Sequence, residues 1–191
     1  LQLDADDGFD FRLQLFDDIH RTAKIHDQSV FDYRSPAHRT GHRISRLIGN
    51  IDKINEMESN HEKLEFSRFD LQALSKKVVT NFTAVAAKKN IILAVTGEPL
   101  MITADQDKIS QVLTNLLVNA IKFTPRQGNI GISAMSAGEE IVFSVRDSGE
   151  GIAPDDLPHV FDRYWTQTET NPTGSGLGLY ITQGIVQAHG G

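Results

Sequence analysis

Residues 107 to 123 constrain the fold most, because a single helix there would carry two faces of unlike chemistry. Ile109, Val112, Leu113, Leu116, Leu117 and Ala120 recur at three- and four-residue steps, which predicts a helix with one side buried. Asn115, Asn119 and Lys122 fall at i, i+4 and i+7 and form a second, polar stripe. Asn is a poor helix former, so two on one stripe of a strongly apolar helix require a reason. An amide oxygen is a hard ligand for Mg²⁺, and lysine is a point charge for phosphate, so the stripe suits a metal-bound polyphosphate. The plainer reading is a solvated helix face.

The flanking sequence supplies something for the apolar face to cover. Asn129 to Met135 and Ile141 to Asp147 alternate like paired strands across Ala137-Gly138. Upstream, Leu64-Glu65-Phe66 reads as a short strand. A helix follows from about Leu71 to Lys89, with Asp70 as its N-cap and Leu71, Leu74, Val78, Phe82 and Val85 inward. Ile91 to Thr96 and Met101 to Ala104 read as strands around the turn Gly97-Glu98-Pro99. Short helical pieces are expected between Asp155 and Tyr164, and a last helix from about Leu177 to Ala188. Strands broken by helices, with a hairpin among them, predict an α/β layer sandwich.

The first 62 residues read differently. Phe9, Phe11, Leu13 and Leu15 alternate like a strand, while Leu13, Phe16, Ile19 and Ala23 suit a helix. From Arg43, the residues Ile44, Leu47, Ile48, Ile51, Ile54 and Met57 form one apolar stripe. This helix either faces a core or pairs with a partner helix in a dimer. Residues 58–63 are polar and mark a boundary or hinge.

Composition excludes several function classes. The 191 residues carry a net charge of -6, which offers no dominant basic field for nucleic acid. No cysteine is present, which removes disulfides, thiolate metal sites and thiol nucleophiles. No apolar run approaches membrane-spanning length and no signal peptide is visible, so no membrane contact is expected of this stretch, while its parent could still be membrane-bound. The first residue is not Met, and the chain reads as a fragment.

Three further segments carry chemistry. In Thr173-Gly174-Ser175-Gly176-Leu177-Gly178-Leu179, alternating glycines lead into an apolar helix whose first N–H groups would suit an anion. Asp147-Ser148-Gly149-Glu150-Gly151-Ile152 follows a strand and places a carboxylate where it could accept from a base amine. It is equally readable as a plain turn. Phe161-Asp162-Arg163-Tyr164-Trp165 is an aromatic cluster that either anchors a loop by packing or hinges a lid, with Arg163 reaching phosphate.

In this order the four segments resemble the ATP-binding catalytic domain of sensor histidine kinases. Asn115 to Phe123 looks like the family's N box and Asp147 to Ile152 like its G1 box. Phe161 to Trp165 looks like its F box and Gly174 to Leu179 like its G2 box. The resemblance implies an α+β fold, the two-layer α/β sandwich of the Bergerat type, preceded by a helical dimerisation segment. It implies ATP and Mg²⁺ as cofactors, with Mg²⁺ on Asn119, phosphate at Lys122 and adenine at Asp147. The remaining nucleotide contacts would come from Asn115, Phe123, Gly149, Gly151, Ile152, Phe161, Arg163, Gly174, Ser175, Gly176, Leu177, Gly178 and Leu179. Residues 153 to 173 would form the lid. Residues 1–62 would be the dimerisation and phosphotransfer region, and 63–191 the catalytic domain, short of the family's last strands. Its partners would be a second copy, through the N-terminal helices, and a response regulator receiver domain. Related gyrase and mismatch-repair ATPases carry a Glu where Asn115 stands; an amide cannot take a proton, so hydrolysis is expected to be slow.

The phospho-accepting histidine is the departure. The nearest match to the family's acceptor pattern is Phe31-Asp32-Tyr33-Arg34-Ser35-Pro36, with Phe31 where the histidine belongs. Two helical arms and a turn do not fit between Pro36 and Ile44 at about 1.5 Å per residue. Either the acceptor lies elsewhere, with His20 and His26 as candidates, or the chain is a degenerate kinase, or residues 1–43 are discontinuous. A regulatory ATP-binding module and an anti-sigma-factor-type serine kinase are the alternatives.

Overall fold

The structure, a computed structural model, describes residues 10–13, 63–138, 140–166 and 175–191. Its strands are β1 (Asp10–Leu13), β2 (Phe66–Asp70), β3 (Ile92–Thr96), β4 (Met101–Asp105), β5 (Asn129–Ala137) and β6 (Glu140–Asp147). Its helices are α1 (Leu71–Ala87), α2 (Gln106–Phe123) and α3 (Gly178–Ala188), with a 3-10 turn at Leu157–His159.

The strands form two sheets. The larger runs β1-β6-β5-β3, and β2 pairs with β4 in a separate antiparallel ribbon. β5 and β6 are the expected hairpin, with Ile132 opposite Val145 and Ala134 opposite Phe143. β3 joins β5 in parallel, and β1 joins β6 in parallel. Alternation sorts the two sheet faces: Ile130, Ile132, Ile141 and Phe143 are buried, whereas Met135 and Arg146 point outward and are exposed. α1 packs on β3 and β5, α2 on β6, and α3 on α2. The result is an α+β sandwich of helices over one face of a mixed sheet, as expected. Each large side chain buried fully in this layer contributes roughly 1.5–3 kcal/mol.

Several local expectations shift. β2 starts at Phe66 and not at Leu64, because its partner β4 sets the register, with Phe66 opposite Asp105. Asp70 caps α1 as expected, accepting from the Gln72 N–H at 2.9 Å. α1 ends at Ala87, two residues short of Lys89. Val85, expected inward, is 43% exposed, and Ala86 takes the core position. The inward row runs through Val78, Phe82 and Ala86 at four-residue steps, so Val85 falls off its edge. Residues 10–13, where strand and helix patterns overlap in the sequence, form an edge strand of the larger sheet. The expected helix from Arg43, both candidate acceptors His20 and His26, and Gly174 lie outside the described residues. No described helix is long and apolar enough to cross a membrane.

Candidate functional site

The polar stripe of α2 lies over the edge of the core, and its residues are anchored in different ways. Asn115, Asn119 and Lys122 are all half-buried. Asn115 donates from Nδ2 to the Gly178 carbonyl at 3.2 Å, which ties α2 to the first residue of α3. The Asn119 amide has no hydrogen-bond partner among the described residues, so its oxygen is available to a ligand. Lys122 lays its Nζ 4.3 Å from the centre of the Phe123 ring. Burial holds its pKa below the ordinary 10.5, since water is withdrawn from the charged form.

Both ends of α2 are fastened. At the start, Asp105 is buried and caps the helix, its Oδ1 accepting from Asp107 N–H (3.1 Å) and Lys108 N–H (3.0 Å). Its Oδ2 accepts from Glu65 N–H at 3.0 Å. Desolvation pushes the Asp105 carboxyl up, but these three N–H donors and nearby Lys108 outweigh it and leave the pKa lowered. The Asp105 N–H itself donates to His189 Nε2 at 3.1 Å, while His189 Nδ1 lies 2.8 Å from the Ile185 carbonyl. That pattern places the imidazole proton on Nδ1 and joins the end of α3 to the start of α2. At the far end, the Thr124 hydroxyl donates to the Ala120 carbonyl at 2.6 Å, and Lys89 Nζ reaches three carbonyls around the helix terminus.

The Asp147 turn sits against that far end. Gly149 N–H donates to Asp147 Oδ1 at 2.7 Å, leaving the second carboxylate oxygen for another donor. A Cβ on Gly149 would stand 2.9 Å from the Phe123 carbonyl, so only glycine lets the turn approach α2 this closely. Ser148 fixes the turn to β5, accepting from Asn129 N–H and donating its own N–H to the Asn129 carbonyl.

The aromatic segment meets the glycine segment. Tyr164 N–H donates to the Gly176 carbonyl at 3.0 Å. Gly176 has φ +66, and a Cβ there would lie 2.4 Å from the Tyr164 carbonyl carbon. The Arg163 guanidinium lies 5.3 Å from the centre of the Tyr180 ring on α3, so this segment is packed on the last helix as well as bonded to its lead-in. Leu177 is 0% exposed and Leu179 packs against the core; the Leu177 side chain belongs to the core, which leaves only its backbone for a ligand. Among the described residues, α3 begins with no side-chain cap and no acid in its first turn, so its positive end suits an anion.

The polar stripe of α2 and the glycine segment are thus joined through Asn115 and Gly178, and the Asp147 turn is seated on the end of α2. Sequence reasoning passed over His189 and Lys89. A histidine at a helix end before Gly190-Gly191 is a cap signal that could have found the first.

Comparison with known proteins now bears on this arrangement. A family described as histidine kinase-, DNA gyrase B-, and HSP90-like ATPase matches residues 104–191. The solved catalytic domain of the histidine kinase ThkA is 32% identical, with a TM-score of 0.59, and the match covers 66% of this chain and 82% of that one. The chain belongs to the sensor histidine kinase family. The sensor histidine kinase ZraS of Salmonella typhi is 34% identical over 171 residues, 84% of this chain but 36% of that protein. This histidine kinase core therefore spans about a third of that relative's length. ShkA, solved in complex with AMPPNP, is 27% identical with a TM-score of 0.70 over 79% of this chain and 32% of that one. ThkA has also been solved in complex with a response regulator protein, TrrA; that ThkA chain is 31% identical with a TM-score of 0.54, over 66% of this chain and 38% of that one.

Proposed function

We propose that this chain is a cytoplasmic kinase core that binds Mg-ATP and passes the γ-phosphoryl group to a histidine, then to an aspartate of a response regulator receiver domain. It would act as a homodimer through its N-terminal helices. One observation carries the reading: the uncapped start of α3 is bonded through Gly178 to Asn115, on the stripe that also bears Asn119 and Lys122. Backbone N–H groups, an amide with no partner among the described residues and an ammonium would then address one polyphosphate. The complexes named for ShkA and ThkA support the nucleotide and the receiver partner by likeness.

The roles follow from chemistry. Asp147, with one oxygen held by Gly149 N–H, would accept from the adenine amine with the other. Lys122, short of water, gains most when a phosphate restores its charge compensation. Asn119 would hold Mg²⁺, which when bound supplies charge neutralisation between phosphates; a hard cation suits an amide oxygen that has no partner among the described residues. The acceptor imidazole nitrogen attacks the γ-phosphorus and ADP leaves, so the protein's part is positioning and charge stabilisation. Asn115 is engaged as a donor and is no base, so water is not activated there.

The experiment is incubation of the purified chain with γ-labelled ATP. Acid-labile label on histidine, with His20 and His26 the first sites to inspect, supports the kinase, whereas acid-stable label points to a serine kinase. Nucleotide binding without label supports a regulatory module, the second reading, which Phe31 at the acceptor position favours. Rapid steady-state hydrolysis would sink the role given to Asn115.

A further inference from the structure

Lys89 follows α1 in the turn before β3, far in sequence from the polar stripe. Its Nζ donates to the carbonyls of Ile121 at 2.8 Å, Lys122 at 3.0 Å and Thr124 at 3.0 Å. An ammonium has three donors, so all three are used. Ile121 and Lys122 are among the carbonyls that the end of α2 leaves without a helical partner, at the negative end of its dipole. The Lys89 backbone closes the same junction from the other side: its carbonyl accepts from Gln127 N–H at 2.9 Å, and Ile92 N–H donates to the Gly128 carbonyl at 3.0 Å. Burial first, and Arg126 second, keep the ammonium's pKa below the ordinary 10.5.

What this tripod holds in place is the wall of the nucleotide site. The last turn of α2 bears Lys122 and Phe123, and the Phe123 carbonyl is the surface against which Gly149 closes. The distance between Lys122 and the Asp147 turn is therefore set by where the helix end lies. We infer that Lys89 is a positioning residue: it clamps the last turn of α2 so that Lys122 and the Asp147–Gly149 turn address one ligand. The ligand in this statement rests on the ATP reading above; the clamp does not.

The test uses the full chain with Lys89→Met, and with Val78→Ala as control. Val78 is buried on α1 and makes none of the hydrogen bonds at the end of α2, so its truncation should lower stability alone. Binding of Mg²⁺–AMPPNP is measured by titration calorimetry, and hydrogen exchange is followed in peptides covering 119–124 and 147–151. Lys89→Met should weaken binding tenfold or more and speed exchange in both peptides. Val78→Ala should bind within twofold of the parent. Binding by Lys89→Met within twofold of the parent, or an equal loss in Val78→Ala, overturns the inference. Should the parent itself not bind, the ATP reading fails, and exchange at 147–151 decides the clamp: faster exchange in Lys89→Met supports it and unchanged exchange refutes it. If Lys89→Met does not fold, Lys89→Gln, which keeps two N–H donors without the charge, is judged on the same thresholds.

Discussion

Replacing Asp105 by Asn tests the footing of the site helix. The carboxylate accepts three backbone N–H groups, two on Oδ1 and one on Oδ2, and the residue is 6% exposed. Asn serves as an N-cap about as well as Asp, so the bonds from Asp107 and Lys108 survive. The other position becomes an NH₂ group facing Glu65 N–H, donor against donor. The loss is one charge-assisted bond, about 1.5–3 kcal/mol. At roughly 2–4 °C per kcal/mol for a chain of this size, Tm should fall by about 3–12 °C. The pH dependence follows from the lowered pKa of Asp105. A carboxyl that titrates lower folded than unfolded stabilises fully above its unfolded pKa, and the contribution is lost as pH falls through the folded value. The parent and variant should therefore differ fully at pH 7, and the gap should close only below the ordinary value of 3.8. Urea unfolding of both proteins, from pH 7 downward, measures this. A gap under about 0.5 kcal/mol at pH 7, or one that persists unchanged at pH 3, would refute the role given to the three N–H bonds.

Other perturbations have equally definite signs. Thr182 is buried and its hydroxyl has no partner among the described residues, so Thr182→Val should stabilise by about 1–2 kcal/mol in chemical denaturation. Gly176→Ala drives a methyl into the Tyr164 backbone from a positive φ; it should cost roughly 1–3 kcal/mol and weaken Mg²⁺–AMPPNP binding, as read by calorimetry. Lys122→Met should lower nucleotide affinity about tenfold at neutral pH, a loss of about 1.4 kcal/mol. Because the Lys122 pKa is below 10.5 in the fold, the parent's affinity should fall with rising pH before 10.5 is reached, and the variant's should not follow it.

What could be read from sequence alone divides by range. The α2 stripe, the Asp70 cap and the β5–β6 hairpin were legible because each is written in residues a few positions apart. Val85 was misplaced because an apolar residue one step off the inward row looks like part of it. The start of β2 was misplaced because β4 sets it across the ribbon, and the strand pattern at residues 9–15 could not name its partner, which lies more than a hundred residues away. Within the site, the residue types and their order were legible. Their connections were not: Asn115 to Gly178, Lys89 to the end of α2, and His189 to Asp105 each join distant segments through side-chain reach, which leaves no periodic trace. The resemblance placed Leu177 among the ligand contacts, and the burial of its side chain in the core was not written in the local pattern.

The bond between Tyr164 and Gly176 has a consequence for how such chains can vary. It fastens both ends of the stretch 165–175 at one point on the body of the domain. The folding cost of any length of chain strung between fixed ends grows only logarithmically, by roughly 0.6 kcal/mol for each doubling. Insertions and deletions inside the stretch are thus thermodynamically mild, while a side chain at Gly176 is not. Chain length between Tyr164 and Gly176 can therefore change without reopening the rest of the fold.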